Sequence, residues 1–260
     1  MISENLKEVY QNIIDACKKS NRNAANVTLV AVSKTKPLSM LIECARAGSE
    51  VVPTFSEEFA GKPYVPVFGE NYVQELVEKY DTLKETEPEL FANARFHMIG
   101  HLQRNKVKYI IDKVEMIHSV DSMRLADQIE SEAAKKDLVM DVLLEVNIAE
   151  EESKWGFTAK ESLDAVLTIA ANHPHLRVRG FMTSVPYTED PESNRLHFSN
   201  LHALFLDTKK ALSENNALAS QAETFNTLSM GMTGDYAVAV EEGATMVRVG
   251  TGIFGERNYH

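Results

Sequence analysis

The residue with the clearest chemical potential in this 260-residue chain is Lys34, which closes a short β-branched run. Val30 and Val32 lie four and two residues before it, so in an extended strand the three side chains point to one face. A lysine amine forms imines with carbonyl compounds when its surroundings lower its pKa. On spacing alone, a lysine that extends from the strand end into solvent would be commoner. Lys36 is a second candidate, but the following Pro37 indicates that the strand has ended, which favours a solvated charge there.

Two segments near the C-terminus have the composition of an anion-binding site. Residues 228–235 are small and hydroxylated, follow a predicted strand and open a predicted helix, where free N–H groups and the helix dipole attract an anion. Gly250 and Thr251 close the next predicted strand, and loops after the last two strands of α/β barrels frequently bind phosphate. The alternative is that Thr233 is a plain N-cap and Gly250 a tight turn. Without Lys34 the two interpretations would be about equally supported.

Arg248 is the third residue of chemical interest. Strand alternation places Met246, Arg248 and Gly250 on one face. An arginine that points into a barrel needs a partner because it cannot lose its charge. A structural ion pair with a carboxylate is one solution, and a bound anion or an acceptor atom of a cofactor ring is the other.

These residues must be positioned by a fold in which β-branched runs alternate with helical patterns, which is typical of βα units around a parallel sheet. Eight such runs occur, at residues 27–33, 65–68, 95–99, 115–120, 138–147, 177–183, 224–230 and 246–250. The helical patterns include residues 40–47, 123–136, 159–172, 194–213 and 234–242, with an extra helix at about residues 4–19. The sequence therefore predicts an α/β fold, a (β/α)8 TIM barrel with an extra N-terminal helix. An open doubly wound sheet would usually have a glycine-rich turn after its first strand, and residues 33–37 lack one.

One segment, at about residues 49–66, interrupts this alternation. Residues 52–55 and 65–68 compete for the second strand, and we assign the second because it leads directly into Gly69. The segment follows a helix and precedes a strand, so we expect it on the N-terminal face, opposite the face where barrel active sites lie. We therefore expect one domain over residues 1–260 with an inserted loop away from the chemistry.

Composition limits the class of protein. The chain is 44% hydrophobic and 25% charged, as expected for a globular protein with a substantial core. Its net charge of −11, without a long block of like charges, argues against a nucleic-acid partner. No apolar run is long enough to span a membrane, and the polar N-terminus resembles neither a secretory nor a transit peptide. Cys17 and Cys44 lack metal or redox spacing, which predicts core residues of a cytoplasmic protein, with a mitochondrial fraction left open.

Five sequence blocks, in order along nearly the whole chain, resemble the pyridoxal-phosphate homeostasis protein family. They are residues 31–37 (around Lys34), 68–75 (Phe-Gly-Glu-Asn and its continuation), 96–106, 229–233 and 248–255. Each block is weak alone, but five in register are highly specific. Weaker matches at 146–147 with 152–154, and at 180–183, fill the middle of the chain. The segment at 49–66 is foreign to the family, and Thr233 with Gly234 replaces a more usual serine and polar residue.

The resemblance implies a fold-type III barrel like the N-terminal domain of alanine racemase, with pyridoxal 5'-phosphate (PLP) bound to Lys34 as a Schiff base. It further implies that Asn71 lies near the ring and that Arg248 faces the pyridine nitrogen. The phosphate would be held by Ser229, Gly231, Met232, Thr233, Gly250 and Thr251. A permanently charged arginine leaves the ring nitrogen unprotonated and the ring a poorer electron sink, which discourages carbanion chemistry. No catalytic residue is therefore assigned.

The resemblance implies a PLP carrier or buffer that hands the cofactor to apo-enzymes as a monomer or weak homodimer, without a committed reaction. The alternative is a PLP-dependent amino-acid racemase, which needs two acid/base groups on opposite faces of the substrate. In alanine racemase the opposing tyrosine comes from the partner subunit's C-terminal domain, for which we expect no room before His260. Tyr72 or His97 could substitute for it. A phosphate-binding barrel without PLP would leave Lys34 unexplained.

Overall fold

The eight predicted strands form one closed parallel barrel in a computed structural model that describes residues 1–150 and 155–256. The strands follow one another around the barrel in chain order, and the last pairs with the first. This confirms the predicted α/β barrel. The strands are β1 (Thr28–Val32), β2 (Val67–Glu70), β3 (Arg95–Met98), β4 (Met116–Val120), β5 (Met140–Glu145), β6 (Leu176–Met182), β7 (Thr227–Ser229) and β8 (Met246–Val249).

Helices surround the barrel, and the extra N-terminal helix is confirmed as the first of them. The α-helices are α1 (Ile2–Lys19), α2 (Leu38–Val51), α3 (Val73–Thr86), α4 (Pro88–Asn93), α5 (Met123–Lys135), α6 (Ala159–Asn172), α7 (Arg195–Glu214), α8 (Ala219–Thr224), α9 (Tyr236–Glu241) and α10 (Thr251–Phe254). Short 3₁₀ helices lie at Ala24–Asn26, Val52–Phe55, Arg104–Tyr109 and Pro191–Asn194. None of the helices within the described ranges is both long enough and apolar enough to cross a membrane.

Local chemistry explains where the helices begin and which face they bury. α1 carries buried apolar residues at helical spacing, among them Leu6, Val9 and Ile13, and these pack against the barrel layer. α6 begins with a reciprocal capping box, in which Thr158 accepts from the N–H of Glu161 and the Glu161 carboxylate accepts from Thr158. This capping box satisfies N–H groups that have no partner within the first helical turn.

Strand alternation divides the apolar residues between two cores. Those that point into the barrel are Val30, Val67, Met116, Leu143, Met182 and Met246. Their sequence neighbours point outward and pack beneath the helices. Because Val30 and Met246 point inward, residues two positions further along the same strands face the barrel axis as well. This places Arg248 inside the barrel.

Several strands begin later than the sequence predicts, and the cause is clear for β2 and β7. β2 begins at Val67 rather than at residue 65, because Pro66 lacks the N–H group that an interior strand donates. β7 begins at Thr227 rather than at residue 224, because Thr224 ends α8 and its hydroxyl donates to the Gln221 carbonyl. After β3 the chain forms the 3₁₀ helix Arg104–Tyr109 where the barrel pattern would place an α-helix.

The segment at 49–66 packs beside the N-terminal ends of the strands. α2 continues through Val51 instead of ending at residue 47, and the 3₁₀ helix Val52–Phe55 follows it. The Phe59 ring packs edge-on against Tyr10 at 5.4 Å, and the Lys62 ammonium donates to the Ala25 carbonyl over 2.9 Å. A cavity of about 840 Å³ lies between this segment and the strand starts.

Candidate functional site

Lys34 lies in a turn two residues beyond the end of β1, at the C-terminal mouth of the barrel. Asn71 follows β2, residues 230–234 follow β7, and Gly250 follows β8. Since all eight strands are parallel, these segments lie at the same end of the barrel. The structure therefore brings the residues predicted from the two ends of the sequence to one mouth.

A buried ionic network holds the backbone on both sides of Lys34. The Lys79 ammonium donates to the Ser33 carbonyl at 2.7 Å, to Glu70 Oε1 at 2.7 Å and to Glu75 Oε1 at 2.6 Å. The same Glu75 oxygen accepts from the backbone N–H of Thr35 at 2.6 Å. Thr35 has φ +61°, a left-handed conformation that is uncommon for a non-glycine residue.

Glu70 is the fully buried carboxylate of this network, with no exposed surface. Burial raises its pKa, while the Lys79 ammonium and the Ser33 hydroxyl act in the opposite direction. Sequence reasoning missed this network. The available signal was Glu75 and Lys79 at a spacing of four residues on one helix, which is a pattern too common to single out.

The Lys36 ammonium is held by backbone carbonyls and is not the solvated charge expected from the sequence. Its ammonium donates to the carbonyls of Phe254 at 3.1 Å, Gly255 at 3.0 Å and Glu256 at 2.7 Å. These carbonyls end α10, where a cation is favourable because they have no helical partner. Lys36 therefore ties the first loop to the last helix, which leaves Lys34 as the lysine of the mouth.

Arg248 lies inside the barrel just beneath the mouth and is 5% exposed. Its Nη1 donates to Ser229 Oγ and its Nη2 to the Thr183 carbonyl, both at 2.8 Å. The carboxylates of Glu145 and Asp235 attract the Arg248 guanidinium electrostatically. Neither forms an ion pair with it among the described residues, so the structural ion pair considered from sequence is not formed there. Burial lowers the pKa of Arg248 to about 10, so the side chain stays charged at neutral pH.

Ser229 is directed into the barrel. Its hydroxyl accepts from Arg248 and lies 3.1 Å from Nδ1 of His118, and the residue is fully buried. The family resemblance implies Ser229 as a phosphate ligand, and this stays a prediction. In the structure the Ser229 hydroxyl faces the arginine and a histidine.

The loops after β7 and β8 are joined by Thr233. Its hydroxyl accepts from the backbone N–H groups of Gly250 and Gly252, each at 3.3 Å. Thr233 is therefore not the N-cap considered as an alternative, and α9 begins after Asp235, whose carboxylate accepts from the Met232 N–H at 2.7 Å. Within residues 1–150 and 155–256 the N–H groups of Thr233 and Thr251 have no hydrogen-bond acceptor, so they are available to an anion.

Gly231 is required by the shape of the first of these loops. It has φ +90°, and a Cβ at this position would lie 2.6 Å from the Ala239 Cβ and 2.8 Å from the Tyr236 Cα. No L-amino acid with a side chain fits both constraints. The close approach brings the loop down onto α9 at the mouth.

Asn71 offers an unsatisfied polar atom at the mouth. Its Oδ1 is buried and has no hydrogen-bond partner among the described residues. Gly100 allows this position, because a Cβ there would lie 2.5 Å from the Asn71 carbonyl oxygen. A buried acceptor without a partner costs about 1–3 kcal/mol, a cost that a polar ligand removes by donating to it. Asn71, Arg248 and the free N–H groups therefore fit a planar ligand that carries polar substituents and a phosphate.

The remaining motifs lie around this mouth or away from it. The Thr183 hydroxyl donates to the Val146 carbonyl at 2.7 Å. This hydrogen bond fixes Thr183, whose own backbone carbonyl accepts from Arg248. Residues 152–154, quoted with the weaker family matches, lie outside the described residues. Tyr72 is 57% exposed before α3, whereas His97 is 2% exposed inside the barrel.

Comparison with known proteins agrees with this geometry. Residues 5–258 match the alanine racemase N-terminal domain family. The pyridoxal phosphate homeostasis protein of Aquifex aeolicus is 39% identical over 256 residues, which cover 98% of this chain and 98% of that protein. PipY of Synechococcus elongatus, solved with PLP bound, is 25% identical, with a TM-score of 0.73, and the match covers 98% of this chain and 100% of that chain. An alanine racemase of Clostridium difficile shares the fold alone, at 13% identity and a TM-score of 0.60, over 96% of this chain and 60% of that chain.

The closed barrel, with a lysine after its first strand and an arginine in its eighth, is of the alanine racemase N-terminal domain class. Within that class, the chain belongs to the pyridoxal phosphate homeostasis protein family. The resemblance carried by the five sequence blocks is thereby confirmed.

Proposed function

We propose that this protein binds PLP covalently through Lys34 and serves PLP homeostasis as a carrier or buffer without a committed reaction. The observation that carries the proposal is that Lys34 and Arg248 are both placed toward the C-terminal mouth of the barrel. Arg248 is buried there and donates to the neutral acceptors Ser229 and Thr183. Membership of the family and the PLP-bound PipY structure support the choice of ligand.

The residues of the mouth suggest which part of PLP each would hold. Lys34 supplies the amine, Asn71 the polar contact beside the ring, and Arg248 the group facing the pyridine nitrogen. The phosphate would be held by the hydroxyl and N–H of Thr233, the N–H of Thr251 and the backbone of Gly231. Gly250 would border it, with its own N–H donating to the Thr233 hydroxyl. We assign Ser229 and Met232 a supporting role, since the Ser229 hydroxyl contacts Arg248 and the Met232 N–H donates to Asp235.

The charge of Arg248 limits the chemistry of a ring bound beside it. When bound, PLP supplies an electrophilic carbon and a ring that withdraws electrons most strongly if its nitrogen is protonated. Arg248 has no lone pair to accept or share a proton with that nitrogen and stays charged at neutral pH. It therefore favours an unprotonated ring, which suits reversible binding better than carbanion chemistry.

The racemase alternative needs a second acid/base group across the mouth from Lys34. His97 does not meet this need, because it lies inside the barrel beside His118. Tyr72 is exposed beyond Asn71 and remains the candidate for that role. Steady turnover of a D- or L-amino acid at enzyme-like rates, lost in Tyr72→Phe, would establish the racemase instead.

An absorbance titration tests the proposal. Purified protein is titrated with PLP, and the visible band of lysine-bound PLP is followed in the wild type, in Lys34→Ala and in the control Lys36→Ala. We expect the band in the wild type and in Lys36→Ala and its loss in Lys34→Ala. Absence of the band from the wild type would contradict PLP binding, and its persistence in Lys34→Ala would contradict the assignment of Lys34.

We further propose that the protein is cytoplasmic and that apo-enzymes dependent on PLP are its recipients. A monomer or weak homodimer suits this role, because the mouth must open to solvent for transfer. Transfer of PLP is tested by mixing the PLP-loaded protein with an apo-transaminase and following its reactivation. In the control a dialysis membrane separates the two proteins. Reactivation faster than the rate of spontaneous PLP release supports direct transfer, and reactivation at the release rate supports buffering alone.

A further inference from the structure

A continuous line of hydrogen-bonded side chains crosses the inside of the barrel from Arg248 to its opposite end. Arg248 Nη1 donates to Ser229 Oγ at 2.8 Å, and Ser229 Oγ lies 3.1 Å from Nδ1 of His118. His118 Nε2 lies 3.0 Å from Nδ1 of His97. His97 Nε2 lies 3.4 Å from a carboxylate oxygen of Glu115. The line joins residues of β8, β7, β4 and β3 to the residue before β4.

The chemistry of the two ends gives this line one direction. Arg248 can only donate, so Ser229 accepts from it and has one proton left to give to His118 Nδ1. His118 then carries its own proton on Nε2 and donates to His97. His97 in turn donates from Nε2 to the Glu115 carboxylate. The opposite direction would leave the Ser229 proton without an acceptor and would place a lone pair of His97 against the carboxylate of Glu115.

Burial keeps this arrangement intact. His118 has no exposed surface and His97 is 2% exposed, so neither imidazole can exchange its partner for bulk water. Burial lowers the pKa of His118 well below its usual 6.5, and the neighbouring His97 and Arg248 add to the effect. A neutral His118 is the form that the line requires. Glu115, half exposed at the cavity beside the segment 49–66, keeps the far end in contact with solvent.

We propose that His118 and His97 are positioning residues for the cofactor, which act by orienting the Ser229 hydroxyl and so holding the Arg248 guanidinium beneath the ring nitrogen of PLP. The inference rests on the proposed function and extends it to residues that do not touch the ligand. It assigns a role to two buried histidines that neither cofactor contact nor apolar packing explains.

The direction of the line can be measured without PLP. In protein labelled with ¹⁵N-histidine, the two ring nitrogens of each imidazole have distinct shifts that report which one carries the proton. We expect the neutral Nε2–H tautomer for both His97 and His118. An Nδ1–H tautomer at either residue, or a protonated ring at neutral pH, would overturn the proposal. This result does not depend on whether PLP binds.

The positioning role is tested by two substitutions of His118. His118→Leu removes the acceptor of the Ser229 proton, whereas His118→Asn keeps an amide oxygen near the position of Nδ1. We expect His118→Leu to weaken PLP binding about tenfold and to shift the absorbance maximum of lysine-bound PLP, as loss of one charge-assisted contact would. His118→Asn should restore most of the PLP affinity and most of the wild-type absorbance maximum.

A matched control separates positioning from general damage. His173 is 8% exposed and contacts Asp127 on the outer helical layer, so His173→Leu replaces another buried histidine outside the line. We expect it to leave the PLP affinity and absorbance maximum unchanged. Equal effects of His118→Leu and His173→Leu, or no rescue by His118→Asn in a folded protein, would overturn the proposal. A wild type that does not bind PLP at all would instead contradict the proposed function.

Discussion

The guanidinium of Arg248 donates to the hydroxyl of Ser229 over 2.8 Å, with both side chains buried inside the barrel. A buried arginine held by a hydroxyl and a carbonyl keeps its charge without neutralisation by a carboxylate. That charge would face the ring of a ligand bound at the mouth. The relationship therefore connects the barrel interior to the chemistry that the mouth permits.

The geometry of Arg248 predicts that charge alone is not sufficient for PLP binding. Arg248→Lys keeps a cation but loses the planar fork that reaches Ser229 and Thr183 together. We expect the dissociation constant for PLP to rise about tenfold or more, since each charge-assisted hydrogen bond contributes roughly 1.5–3 kcal/mol. Arg46→Lys, on the exposed surface of α2, is the control. Equal affinities of the two variants in an absorbance titration would contradict the prediction.

The network around Lys79 predicts a large cost for removing its ammonium. Lys79→Met leaves the buried carboxylate of Glu70 and the partly buried carboxylate of Glu75 without their shared cation, which costs about 3–5 kcal/mol of unfolding free energy. Urea unfolding followed by circular dichroism measures this loss. Lys84→Met, exposed on the same helix, should change the unfolding free energy by less than about 0.5 kcal/mol. A small effect of Lys79→Met would show that the network does not hold the Lys34 loop.

The depressed pKa of His118 predicts how stability depends on pH. Below about pH 6.5 the unfolded chain binds a proton at His118 that the folded chain does not bind. The free energy of unfolding therefore falls as the pH drops, by up to about 1.4 kcal/mol per pH unit from this residue. Urea unfolding between about pH 5 and 7 should give a flatter curve for His118→Asn than for the wild type. Parallel curves would mean that His118 is protonated in the folded protein.

The packing of the 49–66 segment predicts that a substitution against it lowers the stability of the protein and leaves PLP binding unchanged. A Cβ at Gly48 would lie 2.1 Å from the Tyr64 ring, so Gly48→Ala must displace this ring. The substitution usually stabilises a helix, but we expect a loss of about 1–3 kcal/mol here because of overpacking. PLP affinity should stay unchanged, because the segment borders the end of the barrel opposite Lys34. Glu43→Ala, exposed on the same helix, is the control, and weakened PLP binding by Gly48→Ala would contradict this placement.

The barrel was predictable because each strand carries its own signal. Short β-branched runs alternate with amphipathic helices, and eight repetitions of that pattern leave few alternatives to a closed barrel. Strand ends were less predictable where proline or a neighbouring helix competes, as at Pro66 and Thr224. Lys34 and Arg248 could be placed because alternation along one strand determines which side chains face the barrel axis.

The supporting residues were not predictable from the sequence, because their partners are distant along the chain. Ser229 was expected at the phosphate, yet its hydroxyl meets His118, 111 residues away. Lys79 reaches back to the Ser33 carbonyl over 46 residues. Such contacts depend on side-chain positions between neighbouring strands and helices, and no local pattern encodes them. The family blocks include some of these residues without indicating which of them touch.

Peptide mapping after borohydride reduction tests the central claim most directly. The protein is incubated with PLP, reduced, digested and analysed by mass spectrometry for the lysine that carries the pyridoxyl group. We predict stoichiometric labelling of the peptide that contains Lys34, with the label on Lys34 and not on Lys36. Labelling of Lys36, or labelling scattered over exposed lysines, would contradict the account.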